Sequence, residues 1–259
     1  MLFDTTHILY MVISAILTIA TLILACILIK KEENKEIFLK CVAIITVILH
    51  YSSIWVEFFG NGGSTDGLEG SHLLPIYPCH IMMWMLFIVS FIKNKTGKVF
   101  TVLAEATFWI GIVCGTIGIL LNENYSNTPT LADWSIFKGL LSHSTLLLGC
   151  IYLVVGKFIK IRVLNVVSSA IGLLIFIIDG LFANWLYAVC GLDEVNAMYL
   201  LRSPFESMPW LSPILMGFAG LSLLFLGLSL YELSFNKEDR WYSKLKIFIN
   251  EKILKKLKG

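Results

Sequence analysis

The chain has 259 residues, 57% of them hydrophobic and 15% charged, and its mean hydropathy is +0.81. A soluble domain of this length needs far more charge at its surface, so the chain must be solvated by lipid. A net charge of +2 gives no reason to expect a nucleic-acid partner, and the positions of the basic residues matter more than their total.

Apolar runs long enough to cross about 30 Å of hydrocarbon occur at Ile8–Ile29, Ile37–Phe59, Pro75–Ile92, Val99–Leu121, Ile136–Val155, Val163–Cys190 and Leu211–Leu233. They are continuous, not alternating, so they predict an all-α polytopic membrane protein, a seven-transmembrane helix bundle. The segment before the first run lacks Lys and Arg, which argues against a cleaved leader. Eighteen of the twenty basic residues fall in the odd-numbered connections and the tail, leaving only Lys138 and Arg202 on the other side. Basic residues stay cytoplasmic, so the N-terminus is expected outside and the C-terminus in the cytoplasm. One domain, 1–235, carries the spans. The tail, 236–259, spaces Trp241, Leu245, Ile249, Ile253 and Leu257 four apart among lysines, as an amphipathic helix on an anionic leaflet does. Between spans two and three the loop Gly60–Leu74 holds five glycines and no basic residue; it reads as a connector or a lid. The last outer connection, Gly191–Trp210, looks more structured.

Cys26, Cys41, Cys79, Cys114 and Cys150 lie inside apolar stretches without CxxC or Cys/His zinc spacing, so neither a disulfide framework nor a zinc site is expected. Ionisable groups within spans are costly and mark sites. Placed by depth, His50 and Glu57, Cys79 and His80, Ser142 and His143, and Asp179 and Asn184 all fall in the outer half; Glu105 and Asn165 fall on the cytoplasmic side. This pattern predicts an outward-opening cavity, and helix-to-helix hydrogen bonding is the plainer reading of any one member. Glu105 reads as a structural carboxyl, and Trp55, Trp134, Trp185 and Trp210 as interface anchors.

The sharpest local feature is LLPIYPCHIMMW, Leu73–Trp84. With Pro78 at the first helical position, the N–H groups of Cys79 and His80 would lack intrahelical partners and could receive an oxyanion. His143 lies about 7.5 Å of helical rise past Lys138, and Cys79 about 6 Å past Pro75, so thiol and imidazole start from similar depth. A cysteine nucleophile needs such a pairing. His80, about 100° around the helix from Cys79, is a second candidate base or an oxyanion donor.

Three segments, LPIYPCHIMMW (Leu74–Trp84), LLSHSTLLLGCIYL (Leu140–Leu153) and NAMYLLRSP (Asn196–Pro204), together resemble the transmembrane protein 164 family, which includes bacterial YwaF-type membrane proteins. The resemblance implies a seven-helix fold, a bacterial cell membrane location and, from the eukaryotic members, acyl transfer to lysophospholipids through a cysteine that falls on Cys79, with His143 as its partner. It also implies that Asn196 and Tyr199 face the cavity. Tyr77 stands where bacterial members often carry a histidine, and the Cys-His order looks like the eukaryotic version. The expected function is a membrane-embedded acyltransferase or transacylase that moves a fatty acyl chain from a phospholipid to a lysolipid or other acceptor, without metal or nucleotide cofactor, at a site facing the outer leaflet. Cys79 and His143 are the expected catalytic pair, with His80, Asn196, Tyr199, Tyr77, Asp179 and His50 in support. Alternatives are a lipid hydrolase at the same site, a metal-dependent lipid amidase using His50, His80, His143 and Asp179, and a transporter or receptor.

Overall fold

The computed structural model describes residues 3–60, 62–63, 74–191, 195–203, 209–210 and 212–250. Most of the glycine-rich loop and the tail positions Ile253 and Leu257 lie outside the described residues. Among the described residues every regular element is helical: α1 Thr5–Leu28, α2 Glu32–Gly60, α3 Pro78–Phe91, α4 Lys98–Leu120, the short α5 Glu123–Asn127, α6 Trp134–Val155, α7 Ser169–Val189, α8 Pro213–Glu232 and α9 Trp241–Phe248. Short 3-10 segments precede α7 at Val163–Ser168 and fold the connection between α7 and α8 at Ala197–Tyr199. The starts follow from local chemistry. Asp4, Asn122, Asp133 and Ser212 each accept a first-turn N–H through a side-chain oxygen, while Pro78 and Pro213 open their helices where a missing N–H costs nothing.

Each of the apolar runs contains a helix, but the helices differ in length. Five helical segments, Thr5–Leu28, Glu32–Gly60, Lys98–Asn127, Trp134–Val155 and Val163–Val189, are long and apolar enough to cross a membrane; Pro78–Phe91 and Gly217–Glu232 are apolar but shorter. The cause at α3 is the proline pair. Helix cannot form through Pro75–Tyr77, so 14 residues remain, about 21 Å of rise against about 30 Å of hydrocarbon.

The helices pack around α4, the most enclosed of the membrane-length segments. Phe100, Ala104, Ala106 and Trp109 of α4 pack in one core with Met82, Met83 and Leu86 of α3 and Leu146 and Leu153 of α6. Glycines set how closely the axes approach. A Cβ at Gly111 would overlap the Cys150 sulfur, one at Gly115 would lie 3.3 Å from the His143 carbonyl oxygen, and one at Gly149 would overlap Leu86. This is the small-residue packing expected where lipid offers no hydrophobic drive to associate. Glu105 behaves as the structural carboxyl expected of it, accepting from Asn165 Nδ2 and Ser168 Oγ at 2.6 Å each. It ties α4 to the turn before α7.

The outer helices are held by few polar contacts. Tyr10 and Ser14 of α1 bond to Ser144 Oγ of α6 at 2.9 and 2.7 Å, and His7 Nε2 meets the Ile119 carbonyl at 2.8 Å, its ring stacked on Tyr125. At the opposite end Glu232 is buried and accepts from Val163 N at 2.9 Å and Trp241 N at 2.7 Å, fastening α9 to α8. Leu245 and Ile249 beyond it are exposed, as a surface-lying helix requires.

Two measurements test this packing. Gly149→Val puts branched carbon into Leu86 and Val42 and is expected to lower stability in detergent by about 1–3 kcal/mol, read as an earlier thermal melt; an unchanged melt would mean that α3 and α6 do not approach this closely. Glu232→Ala leaves two N–H groups without their acceptor, and the tail after Glu232 should then be cut by protease faster than in the parent protein while the bundle resists.

Candidate functional site

The site begins where α3 begins. Tyr77 is the N-cap and Pro78 the first helical residue, as the sequence suggests. One expectation changes: the His80 N–H is not left over, because it donates to the Tyr77 carbonyl at 3.0 Å in a tight first turn. The non-helical Leu74–Tyr77 strap is covered by the connection between α7 and α8, with Met198 N–H donating to the Ile76 carbonyl at 2.7 Å. Irregular backbone of this kind survives in a membrane protein where protein buries it.

That connection is itself strained and clamped. Met198 and Tyr199 both take positive φ, 51° and 54°, a conformation that costs non-glycine residues about 1–3 kcal/mol each. Asn184 of α7 holds it from one side, accepting from Ala197 N at 3.0 Å. Asn196 holds it from the other, donating to the Arg202 carbonyl at 2.8 Å and accepting from Leu201 N and Arg202 N at 3.0 and 3.2 Å. The clamp sets Tyr199 against Tyr77 with ring centroids 5.5 Å apart. From there a row of rings crosses the site: Tyr77 stands edge-on to His80 at 5.1 Å, and His80 lies 4.0 Å from His50 of α2.

From the facing side α6 supplies His143. Its Nδ1 lies 2.6 Å from the Gly139 carbonyl oxygen, and a carbonyl can only accept, so the proton sits on Nδ1 and the neutral ring presents Nε2 as a base. The ring rests on Gly118 of α4, where any Cβ would overlap it. Five residues earlier on α6 is Lys138, which the sequence reading used as an exception in counting charges and as a depth marker for His143, not as a site residue. Lys138 is buried, 8% exposed, and its ammonium donates to the His50 carbonyl at 2.9 Å and to Ser53 Oγ at 3.1 Å. Its apolar surroundings, SIFKGLL, are the signal that could have marked it.

These elements enclose a cavity of about 540 Å³. Cys79, His143, His80, His50, Tyr77 and Tyr199 all line it, together with Lys138, Asn122 and Ser142. Its other wall is apolar: Ile110, Val113, Leu173, Phe176, Phe218 and Leu221, from α4, α7 and α8. The space is therefore amphipathic, a volume within the range of sites that hold a drug-sized ligand. Two expected members stand apart. Asn196 is absent from the lining, its amide occupied by its own loop, so the cavity-facing place expected for it has no support from this geometry. Asp179 also lies outside the lining, with its Oδ2 buried and without a hydrogen-bond partner among the described residues. The ligand set considered for a metal does not assemble either: among the described residues no three His, Cys, Asp or Glu side chains come together as a metal site.

No curated protein and no solved structure matches the chain. The sequence model of the TMEM164 family does, over residues 2–231, which takes in the Cys79 segment, the His143 helix and the clamped connection between α7 and α8. On that match, and as the three sequence segments suggest, the chain belongs to the TMEM164 family of membrane proteins.

Proposed function

We propose that the protein is a cysteine-dependent lipid acyltransferase, and the observation that carries this reading is that the Cys79 thiol and a His143 ring poised as a base line one amphipathic cavity. His143 Nε2 takes the proton from Cys79 Sγ, and the thiolate attacks the carbonyl carbon of a phospholipid ester. The C–S bond forms, the ester C–O bond breaks, and the departing lysolipid oxygen recovers the proton from His143. In the second half, a lysolipid hydroxyl gives its proton to His143, attacks the thioester and releases the thiolate. The Cys79 N–H, beside the sulfur, is the donor suited to the tetrahedral oxyanion. Ester and thioester are close in energy, so the exchange proceeds on lipid alone.

The reading includes a topology of seven crossings, with N-terminus outside, C-terminus cytoplasmic and the cavity in the outer leaflet of a bacterial cell membrane. What supports it is charge. Basic residues gather where α1 meets α2, α3 meets α4 and α6 meets the turn before α7, whereas the cavity lies toward the other ends of those helices. A short α3 fits this picture, since its first turn would then begin below the membrane surface, at the depth of an ester.

Three outcomes are expected. In nanodiscs with a diacyl phospholipid and no acceptor, peptide mass spectrometry should find an acyl adduct on Cys79 that is lost in Cys79→Ser and forms about 10²–10⁴-fold more slowly in His143→Ala. No adduct with any common lipid, together with unchanged turnover in Cys79→Ser, would sink the thiol mechanism and favour a transporter or receptor. Gly118→Ala should displace the imidazole and cut the rate by about a hundredfold while the protein still melts cooperatively. At Gly217, on the apolar wall, a Cβ would meet open space. Gly217→Phe should therefore leave the protein folded and shift preference toward shorter acyl chains; an unchanged chain profile would put the acyl group elsewhere.

A further inference from the structure

We propose that Lys138 is the phosphate anchor of the cavity, holding the headgroup phosphate of a glycerophospholipid while its ester lies at Cys79. The proposal rests on the acyl-transfer reading for the ester, but the anchor itself is a binding site and can be tested apart from chemistry.

An ammonium inside a membrane span is costly unless something answers its charge. Among the described residues no carboxylate reaches ion-pair distance of Lys138, and the Glu57 carboxylate acts on it only from farther away. Its two bonds, to the His50 carbonyl and Ser53 Oγ, satisfy two of three N–H donors and neutralise nothing. Those same bonds fix the side chain, so the third donor is pre-organised and the residue borders the cavity. An anion is the missing partner. The nearby lining is polar and neutral, with Asn122, Asn124, Ser135 and Ser142, which suits a hydrated headgroup better than a hydrocarbon chain.

The position along α6 selects the kind of anion. Lys138 is five residues before His143, about 7.5 Å of rise, which is of the order of the glycerol unit between a phosphate and its ester carbonyl. Beyond His143 the lining turns apolar through Ile110, Val113, Leu173 and Phe176. One lipid laid along this gradient has its phosphate on Lys138, its ester between Cys79 and His143, and its chain against α4, α7 and α8. Lys138 touches substrate in this arrangement but takes no part in proton transfer.

The test uses full-length Cys79→Ala protein in detergent, so that no turnover confuses binding. Native mass spectrometry compares phosphatidylglycerol with diacylglycerol of the same chains, and inorganic phosphate is added as competitor. The expected result is a preference for the phosphate-bearing lipid of about tenfold or more, lost in Lys138→Gln and partly kept in Lys138→Arg. Glutamine can keep the bond to the His50 carbonyl without charge, and a cooperative melt checks that the variant is folded; if it is not, Lys138→Arg with diacylglycerol as reference still reads the preference. Equal binding of the two lipids by the Lys138 protein, or a preference that survives Lys138→Gln, would overturn the proposal. Displacement of phosphatidylglycerol by millimolar inorganic phosphate, with no loss for diacylglycerol, would show the site to be one for free anion and overturn the lipid source. Absence of an acyl adduct in the Cys79 protein with the preference intact would remove the chemistry and leave the anchor standing.

Discussion

The close approach of α4 and α6 is the constraint on which the site depends. Gly111, Gly115 and Gly118 place a strip without side chains along α4, and against it lie Cys150, the His143 backbone and the His143 ring in turn. In lipid there is no hydrophobic gain in bringing these helices together, so the contact must come from van der Waals fit and backbone proximity. The same fit serves the proposed chemistry. An imidazole lodged on Gly118 with its Nδ1 proton given to Gly139 has one orientation and one tautomer, which is what a base must have before a substrate arrives.

The second half of the site is held by a different device. α3 is cut short by two prolines, and the Leu74–Tyr77 strap this creates would expose unsatisfied backbone if nothing covered it. The connection after α7 covers it, at the cost of two left-handed residues, and is in turn stapled by Asn184 and Asn196. So the polar residues of that connection serve the fold of the rim, while Tyr199 is the one it delivers to the cavity. The asparagine and the tyrosine of NAMYLLRSP share a motif and divide its work.

How much of this was legible in the sequence depends on whether the signal was local. Apolar runs, the Pro78 helix start and the gathering of Cys79, His80, His50 and His143 toward one end follow from hydropathy, proline chemistry and charge asymmetry, all properties of short windows. Helix length was misjudged at α3, because an apolar run continues through prolines where a helix does not. His80 was expected to keep a free N–H; a 3-10 first turn uses it, a choice of backbone geometry that composition does not encode. Asn196 and Asn184 read in the sequence as polar groups near a cavity, and only tertiary folding shows that both staple the connection instead of lining the space. Lys138 was the larger omission. Read as a residue at a helix mouth it explained nothing, and only its contacts with α2 show that it turns inward.

Lys138 and His143 together explain why a membrane helix carries so much polarity on one face. Both border the cavity from α6 while another face of that helix presents Ser144 to α1, so the N-terminal half of α6 is polar on more than one side. Ser142, His143 and Thr145 answer their polarity within the helix, on carbonyls of α6, but Lys138 and Ser144 reach α2 and α1, and those bonds exist only in the assembled bundle. Around the cavity the Cys79 thiol, the His143 Nε2 lone pair and one Lys138 donor are the groups on which the proposed chemistry draws. A nucleophile, a base and a cation facing one amphipathic space are what the proposed transfer from a phosphorylated ester requires, and the packing that stabilises the bundle is the packing that sets those three around it.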